Sequence, residues 1–561
     1  GYHLIVLAKN YNGYKNLIRL VSNSWVDGYY MRPRTDRADL EKYHEDLIIC
    51  SACIAGEVPA KILKGDIAGA REACEWYHNL FGDDYYLELQ RHKVPDDPSL
   101  LANREAYELQ QKANKVLIEL SKEYGIKLVC TNDCHFEDKE TAEAHDHLLC
   151  IATGKDLDDP NRMRYSKQEW FKTRQEMNDV FSDIPEALSN TLEVLDKVEI
   201  YSIDHGPIMP FFPIPESFGT EEQLRQRVSE QDLYKEFTSD ENGENQLPPE
   251  EGQKVIDRLG GYDKIYRIKF EAEYLRHLAY EGAKKLYGDP LPANVDEHVN
   301  FELHVMKTMG FPGYFLIVSD FIKAAREELG VMVGPGRGSA AGSVVAYCLG
   351  ITKIDPLKYD LLFERFLNPD RVNLPDIDTD FDDDGRGKVL RWVMDKYGHE
   401  NCAHIITYGS MATKNSIKDV ARVEKLPLDK ANALCKAIPD RLPDGAKMNL
   451  PNAIKYTPEL KEAEYSSDPR ESNTIKYAKM LEGTIRGTGI HACGFIICRD
   501  PISNWVPVST ADDPDFPGLK TAVTQYDGHV IESTGLIKMD FLGLKTLSEM
   551  KEACKVIKQT T

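Results

Sequence analysis

Three aspartates separated by single residues form the pattern with the clearest chemistry. They are Asp376, Asp378 and Asp380, in the segment PDIDTDF at residues 375–381. If this segment is a strand, alternation points the three carboxylates to one face and the intervening residues to the other. Like charges on one face repel each other, so a positive partner is expected there, and Mg²⁺ prefers carboxylate oxygens. The alternative is a solvated acidic edge, which the apolar flanking residues disfavour.

A further carboxylate and a phosphate-type loop would complete such a site. The segment GLIKMDFL at residues 535–542 predicts a strand with Lys538 and Asp540 on one face. The segment GPGRGS at residues 334–339 predicts a glycine-rich loop, and residues 340–347 predict a helix after it. Loop amides and a helix N-terminus attract anions, and Arg337 adds charge. The loop lacks the ending of a Walker motif, so a plain tight turn stays open. Loop and carboxylates together suit two-metal phosphoryl transfer.

The first 200 residues predict an α/β layout with polar loops after the strands. Strands are expected at residues 3–7, 46–50, 85–89 and 127–130, and helices at residues 59–64, 68–80, 101–124 and 178–200. Asp133 and His135 follow the fourth strand at a spacing that lets them share a metal ion. A structural role for this pair is an equal alternative.

Composition and charge limit the classes of protein to which the chain can belong. The chain has 561 residues, 42% of them hydrophobic, with no apolar run near the roughly 20 residues that a membrane helix needs. Its twelve cysteines show no small-domain disulfide framework, which indicates reduced thiols in a cytoplasmic protein. The net charge of −23 is segregated: residues 216–251 are strongly acidic, whereas residues 385–425 are basic. Local patches decide nucleic-acid binding, so the total charge does not exclude it.

Three other features of the sequence allow structural or functional predictions. Residues 216–261 are acidic and rich in Pro, Gly and Asn, which predicts a surface insertion or mobile linker. Residues 409–437 predict a helix on which four cations form one stripe, suited to a phosphate backbone; a solvated face is the alternative. These cations are Lys414, Lys418, Arg422 and Lys425. His491 either faces a nucleotide or is a structural histidine.

Five motifs in one order carry a resemblance over essentially the whole chain. They are GFPGYFLIV (residues 310–318), the glycine-rich loop, LFERFLNP (residues 362–369), the aspartate segment and KMDFLGL (residues 538–544). With them the chain resembles the C family of bacterial replicative DNA polymerases, the alpha subunits of DNA polymerase III. The resemblance implies nucleotidyl transfer to a primer 3′-hydroxyl.

The resemblance also implies a multidomain α/β fold. A PHP-type β/α barrel (polymerase and histidinol phosphatase) is expected first, incomplete at its N-terminus because the family's opening His-x-His motif is absent. A nucleotidyltransferase-like palm with a mixed sheet and a helical thumb should follow. The implied domains are residues 1–200 (PHP-like), 201–264 (connector with acidic insertion), 265–408 (palm, first part), 409–484 (thumb) and 485–561 (palm, second part, running towards the fingers). The chain is therefore expected to be a fragment.

Site residues follow from the same resemblance. Asp376, Asp378 and Asp540 would hold two Mg²⁺ ions, whereas Asp380 has no implied ligand role. The incoming deoxynucleoside triphosphate (dNTP) would be held by Arg337, Gly338, Ser339, Arg365 and Lys538. The cationic stripe would contact the primer–template duplex. A second metal site for Zn²⁺ or Mn²⁺ in the PHP-like region would use His3, Cys53, Asp133 and His135.

The implied partners are primer–template DNA and dNTP, with a sliding clamp and a proofreading exonuclease for the full-length protein, and no membrane. Two alternatives stay open. One is a metal-dependent phosphoesterase or 3′–5′ exonuclease centred on Asp133 and His135. The other is a fragment that acts only as a scaffold and performs no chemistry.

Overall fold

A computed structural model describes residues 1–96, 104–368 and 375–560. By its contacts the chain divides into two compact units, each made of several segments. The first unit comprises residues 1–20, 30–202 and 408–489, and the second comprises residues 21–29, 203–407 and 490–561. None of the helices in the described residues has both the length and the apolar character that crossing a bilayer requires.

Within the described residues, the strands are β1 (Ile5–Ala8), β2 (Leu47–Cys50), β3 (Tyr85–Leu89), β4 (Leu128–Cys130), β5 (Asp378–Asp382), β6 (Cys402–Ser410), β7 (Ile485–Ile497), β8 (Val508–Asp512), β9 (Lys520–Asp527) and β10 (Lys538–Leu544). The helices up to residue 308 are α1 (Tyr11–Val26), α2 (Arg37–Lys42), α3 (Glu57–Leu63), α4 (Ile67–Phe81), α5 (Glu105–Tyr124), α6 (Ala142–Thr153), α7 (Arg174–Val180), α8 (Pro185–Asp196), α9 (Glu221–Arg227), α10 (Glu230–Thr238), α11 (Pro249–Leu259), α12 (Tyr262–Tyr287) and α13 (Ala293–Thr308). The later helices are α14 (Pro312–Glu327), α15 (Val344–Cys348), α16 (Arg386–Tyr397), α17 (Thr413–Val423), α18 (Leu428–Ala437), α19 (Leu450–Tyr456), α20 (Pro458–Glu464), α21 (Pro469–Leu481) and α22 (Lys545–Thr560).

The first unit contains a four-stranded sheet in the order β1-β2-β3-β4. Strand β1 is antiparallel to β2, whereas β2, β3 and β4 run parallel. The predicted strands and the helices predicted at residues 59–64, 68–80 and 101–124 are confirmed to within a few residues, because amphipathic helices and short apolar strands give the clearest periodicity. In place of the helix predicted at residues 178–200 the structure has two, α7 and α8. Residues 101–103 of one predicted helix lie outside the described residues. The closed barrel stays a prediction.

Helices α17 to α21 lie in the last segment of the first unit, residues 408–489. They bury a shared apolar cluster that includes Ile417, Val420, Leu450, Leu460 and Ile475. Within a helix the buried residues lie three or four positions apart, as do Ile417, Val420 and Ala421 on α17, so each helix turns one apolar stripe toward its neighbours. The segment is therefore a packed helical body.

The second unit contains a six-stranded sheet in the order β5-β10-β7-β6-β9-β8. The sheet is mixed, as predicted: β10 is parallel to β5 and antiparallel to β7. Phe381 on β5 and Phe541 on β10 are fully buried and stack with ring centroids 5.7 Å apart. Phe321 of α14 packs 4.6 Å from Phe541. This aromatic layer fixes the two strands that carry the predicted catalytic aspartates.

The prediction of a mobile linker at residues 216–261 is wrong. Helices α9, α10 and α11 occupy this segment, and they bury Leu224, Leu233 and Ile256 against Phe270 of α12. Capping boxes begin α9 and α10. The acidic side chains cover the outside of a small helical core. They dominate the composition of the segment, so composition alone did not reveal the apolar residues that recur at helical spacing.

Two boundaries near the glycine-rich loop differ from the prediction. The expected helix at residues 340–347 is a 3₁₀ turn, Gly338–Gly342, followed by the short helix α15. Ser343 separates them in an extended conformation and caps α15 with its side chain. Strand β5 begins at Asp378, so Asp376 precedes it.

Candidate active site

Strand register brings two aspartates from distant parts of the chain together. In the parallel pair β5 and β10, Asp378 lies directly opposite Asp540. Opposed residues in neighbouring strands point to the same face of a sheet. Asp376 lies two residues before Asp378, and carboxylate oxygens of all three aspartates lie within 4.8 Å of one another. We call these three residues the acidic cluster.

Two cations accompany the acidic cluster. The guanidinium of Arg337 donates from Nη1 to Oδ2 of Asp378 at 2.7 Å and from Nε to Oδ1 of Asp380 at 3.1 Å. The ammonium of Lys538 lies 3.3 Å from Oδ2 of Asp540. The other oxygen of Asp540, Oδ1, is buried and has no hydrogen-bond partner among the described residues. Burying this oxygen without a well-aligned donor among the described residues costs free energy, which a bound cation would offset.

The electrostatics of the cluster agree with this geometry. Burial raises the pKa of Asp378, the carboxylate of Asp376 raises it further, and Arg337 opposes both. Burial lowers the pKa of Lys538, but the neighbouring Asp540 carboxylate more than offsets this and the pKa is raised. Additional positive charge at the cluster would therefore stabilise its ionised carboxylates.

The glycine-rich loop is fastened to the strand that carries Asp378. The amide of Gly334 donates to the carbonyl of Asp380 at 2.8 Å, beside a bridge between Val333 and Phe381. Gly338 has a φ of +70°, and a Cβ there would lie 3.7 Å from Oδ2 of Asp378. Glycine adopts this conformation without strain and leaves space beside the carboxylate.

The other residues predicted to hold a nucleotide occupy nearby elements. Ser339 is exposed in the 3₁₀ turn, and Arg365 is exposed at the end of a second 3₁₀ turn, Phe363–Arg365. The two turns pack closely, since a Cβ on Gly342 would lie 2.6 Å from the carbonyl oxygen of Leu362. Within the described residues Arg365 forms no ion pair, in contrast to Arg337 and Lys538. Residues 369–374, which include the end of the LFERFLNP motif, lie outside the described residues.

Sequence reasoning missed Glu302, which anchors the segment after the glycine-rich loop. This residue of α13 is fully buried and accepts hydrogen bonds from the amides of Val344 and Val345, each at 2.9 Å, and from the hydroxyl of Ser343 at 2.8 Å. The bonds satisfy the first amides of α15, which otherwise lack partners. An acid between two apolar residues of an amphipathic helix, Phe301 and Leu303, was the signal available.

Stability should depend on pH through Glu302. Burial raises its pKa from 4.5 to about 7, although the three donated bonds oppose this. A raised pKa in the folded state means that the contribution is fully present below pH 4.5 and is lost as the pH rises through about 7. We expect the free energy of unfolding to fall by up to about 3 kcal/mol over this range from this group. Glu271, whose pKa burial also raises to about 7, acts in the same direction.

Denaturant unfolding at several pH values checks this prediction. Glu302→Gln cannot ionise, so the free energy of unfolding of this variant should change less with pH. The variant should also be less stable than the wild type at low pH, because its side-chain NH₂ group would face backbone N–H donors. Glu297→Gln, at an exposed residue of the same helix, is the control and should keep the wild-type dependence of stability on pH. A dependence on pH unchanged by Glu302→Gln would contradict the assignment.

The predicted cationic stripe is only partly a stripe. Lys414, Lys418 and Arg422 lie on α17, but Lys425 lies beyond its end with a φ of +57°. Arg422 donates to the carbonyls of Cys150 and Lys155, and Lys425 pairs with Asp158 at 2.8 Å. Lys418 is exposed and forms no ion pair among the described residues. Helical periodicity could not foresee these partners, because they come from another part of the first unit.

The predicted PHP-type ligands form two contacting pairs. Sγ of Cys53 lies 3.4 Å from Nδ1 of His3. His135 donates from Nδ1 to the carbonyl of Asp133 at 2.6 Å, so its Nε2 carries the lone pair, which accepts a bond from Tyr165 at 3.1 Å. A ligating histidine is oriented in this way. In the described residues, however, these four are not among the groups whose ligand atoms all lie within 4.8 Å.

Two family models match the chain. One, described as "Bacterial DNA polymerase III alpha NTPase domain", matches residues 273–543, which include the acidic cluster and the glycine-rich loop. The other, described as "PHP domain", matches residues 1–92, which include His3 and Cys53.

Curated relatives cover the whole chain. It is 40% identical over 560 residues to the DNA polymerase III subunit alpha of Borreliella burgdorferi, covering 100% of this chain and 42% of that protein. It is 38% identical over 582 residues to the protein of the same name from Thermus aquaticus, covering 100% of this chain and 45% of that protein. The chain thus spans less than half the length of these curated relatives.

Proposed function

The chain belongs to the family of bacterial DNA polymerase III alpha subunits, and on that basis we propose that the full-length gene product is a DNA-directed DNA polymerase of chromosome replication. It would transfer a deoxynucleoside monophosphate from a dNTP to the 3′-hydroxyl of a primer on template DNA. The observation that carries this proposal is the approach of Asp376, Asp378 and Asp540 to within 4.8 Å, beside a glycine-rich loop.

The acidic cluster suits two Mg²⁺ ions. Its three ligands are all carboxylates, the donors that this hard cation prefers, and a bound cation would satisfy Oδ1 of Asp540, which accepts no hydrogen bond from the part of the chain that the structure describes. Asp376, Asp378 and Asp540 would together hold the ions. Bound Mg²⁺ would lower the pKa of the attacking hydroxyl and neutralise charge on the leaving pyrophosphate.

The chain's own cations would bind the triphosphate. Arg337 donates to Asp378 and Asp380, so a triphosphate would compete with these carboxylates for a guanidinium that already lies at the site. Lys538 lies beside Asp540, Gly338 and Ser339 would offer backbone amides, and Arg365 would offer a guanidinium that forms no ion pair with any described residue. Positioned charges of this kind supply most of the rate in phosphoryl transfer.

The helical body at residues 409–484 would serve as the thumb and contact the backbone of the primer–template duplex. Of the four predicted cations, Lys418 is the best candidate, because Arg422 and Lys425 already have partners within the first unit. Lys414 is intermediate, since it lies 3.4 Å from the fully exposed Asp440. Contacts to phosphates without base readout suit an enzyme that must accept every sequence.

Replacing Lys418 by alanine should weaken binding to primer–template DNA evenly across sequences. Loss of one phosphate contact is expected to reduce the slope of log affinity against log salt by about 1. Fluorescence anisotropy with labelled duplex at several NaCl concentrations measures both quantities. Lys461→Ala, an exposed lysine on α20, is the control and should change neither. Equal effects of the two substitutions would contradict the proposed contact.

A metal-dependent phosphoesterase in the PHP-like region is a second proposal, favoured by the contact between Cys53 and His3 and by the orientation of His135. Zn²⁺ or Mn²⁺ would be held by His3, Cys53, Asp133 and His135. Hydrolysis of a phosphate ester that survives Asp378→Asn but not His135→Ala would support it. Loss through Asp378→Asn would count against it.

Further parts of the proposal follow from family membership. The five domain ranges given above, a sliding clamp and a proofreading exonuclease as partners, and a cytoplasmic location all belong to it. Primer extension with Mg²⁺, using this chain beside the full-length gene product, tests the central activity. Extension by the full-length protein supports the proposal, and its absence under conditions where the protein is folded and binds DNA overturns it. Extension by this chain alone would exclude a pure scaffold.

A further inference from the structure

A histidine and a cysteine lie beside the acidic cluster, on its neighbouring strand. His491 and Cys493 are on β7, and Gly494 of that strand pairs directly with Asp540 of β10. One ligand atom from each of His491, Cys493 and Asp540 lies within 4.8 Å of the other two. All three residues are partly buried. The proposed polymerase chemistry leaves His491 and Cys493 without a role.

The atoms of this group already face one another. Sγ of Cys493 lies 3.6 Å from Nδ1 of His491. Nδ1 accepts hydrogen bonds from the amides of Gly494 at 2.8 Å and Cys493 at 3.3 Å, so it presents a lone pair rather than a proton. A second observation comes from Asp540, whose side chain is only 10% exposed and whose Oδ1 has no partner among the described residues.

We propose that His491, Cys493 and Asp540 bind a thiophilic divalent cation of the Zn²⁺ class. A nitrogen, a sulfur and a carboxylate oxygen are the donors of zinc sites, whereas Mg²⁺ takes oxygen ligands alone. Binding releases the thiol proton to solvent and takes the Nδ1 lone pair from two amides. The bond between the cation and the thiolate, and the attraction of the cation to the buried Asp540 carboxylate, offset the free-energy cost of losing the thiol proton and the two amide hydrogen bonds.

Because Asp540 is shared by the two sites, binding of a cation with Cys493 should affect activity. Asp540 belongs both to this group and to the acidic cluster, so a cation held with Cys493 withdraws a carboxylate from the Mg²⁺ site. The protein would then be inhibited by Zn²⁺ in competition with Mg²⁺. This consequence rests on the proposed polymerase function, whereas binding of the cation does not.

Cadmium is the probe, because its bond to a thiolate absorbs in the ultraviolet. The titration uses this chain with Cys53→Ser and Cys134→Ser, which remove the two thiols of the PHP-like region that are not buried. We expect absorption from one thiolate–cadmium bond per chain, abolished by Cys493→Ser and displaced by Zn²⁺. Cys554→Ser, at an exposed thiol on α22, is the matched control and should retain the full signal. Circular dichroism verifies that each variant is folded.

An unchanged signal in Cys493→Ser would overturn the inference, as would loss of the signal in Cys554→Ser alone. Asp540→Asn should lower the cadmium affinity by at least about tenfold, since even outer-shell partners of metal ligands contribute about 10- to 100-fold. In the second arm, Zn²⁺ inhibition of primer extension by the full-length gene product should be relieved by Cys493→Ser. Cadmium binding without any primer extension would contradict the proposed function and leave the site standing. Primer extension without cadmium binding at Cys493 would contradict the metal site and leave the proposed function standing.

Discussion

Asp540→Asn is expected to lower the primer-extension rate of the full-length gene product by roughly 10⁴-fold, the scale at which removal of a central catalytic group acts. The carboxylate of Asp540 is the buried member of the acidic cluster, and one of its oxygens has no partner in the described residues. An asparagine keeps the shape but removes the charge that would hold a cation. Asp378→Asn should act similarly, because Asp378 lies opposite Asp540 in the parallel register.

Asp384→Asn provides the matched control for this prediction. Asp384 follows β5 in the same segment and is exposed, so the same chemical change should leave the rate near that of the wild type. Single-turnover extension at saturating Mg²⁺ and dNTP separates the chemical step from binding. If Asp540→Asn retained a rate comparable to Asp384→Asn, Asp540 would have no catalytic role.

Arg337→Gln is expected to lower kcat/KM for dNTP by about 10²- to 10³-fold, as for loss of one aligned donor to a charged transition state. The guanidinium bonds to Asp378 and Asp380 at 2.7 and 3.1 Å, which holds it at the edge of the acidic cluster. The same substitution should strengthen Mn²⁺ binding in the absence of nucleotide, because Asp378 loses its competing cation. A lower rate combined with tighter metal binding distinguishes this role from simple misfolding.

Arg391→Gln is the control for Arg337. Arg391 on α16 stacks on Phe516, with 4.5 Å from the guanidinium carbon to the ring centroid, and has no proposed role in the chemistry. Steady-state kinetics with varied dNTP should show little change for this variant. If Arg337→Gln kept kcat/KM within about threefold of the wild type, its proposed contact with the triphosphate would be wrong.

The strands and helices that carry the site could be predicted from the sequence, because local periodicity and motif identity encode them. Alternation predicted that Asp378 points away from Phe381, and the fold has this arrangement. The parallel register that sets Asp378 opposite Asp540 could not be derived from periodicity. The two residues are 162 positions apart in the sequence, and the pairing of their strands depends on tertiary structure. Family resemblance, rather than the spacing, indicated that these residues meet.

Predictions failed where long-range partners decide the outcome. Residues 216–261 looked like a linker because their composition is acidic, but their apolar residues close a core with α12. Lys425 was placed on a helix that ends before it. Glu302 was missed, and His491 was not connected with Cys493 and Asp540, for the same reason: their contacts depend on α15 and on β10, which are remote in the sequence.

Binding of Mn²⁺ to this chain, followed by electron paramagnetic resonance, tests most directly whether the acidic cluster holds cations. The measurement uses Asp133→Asn with His135→Ala as background, so that the PHP-like region contributes no site. We predict bound Mn²⁺ that Mg²⁺ displaces and that either Asp378→Asn or Asp540→Asn removes, while Asp384→Asn retains it. Mn²⁺ binding that is unaffected by Asp378→Asn and Asp540→Asn would contradict the account.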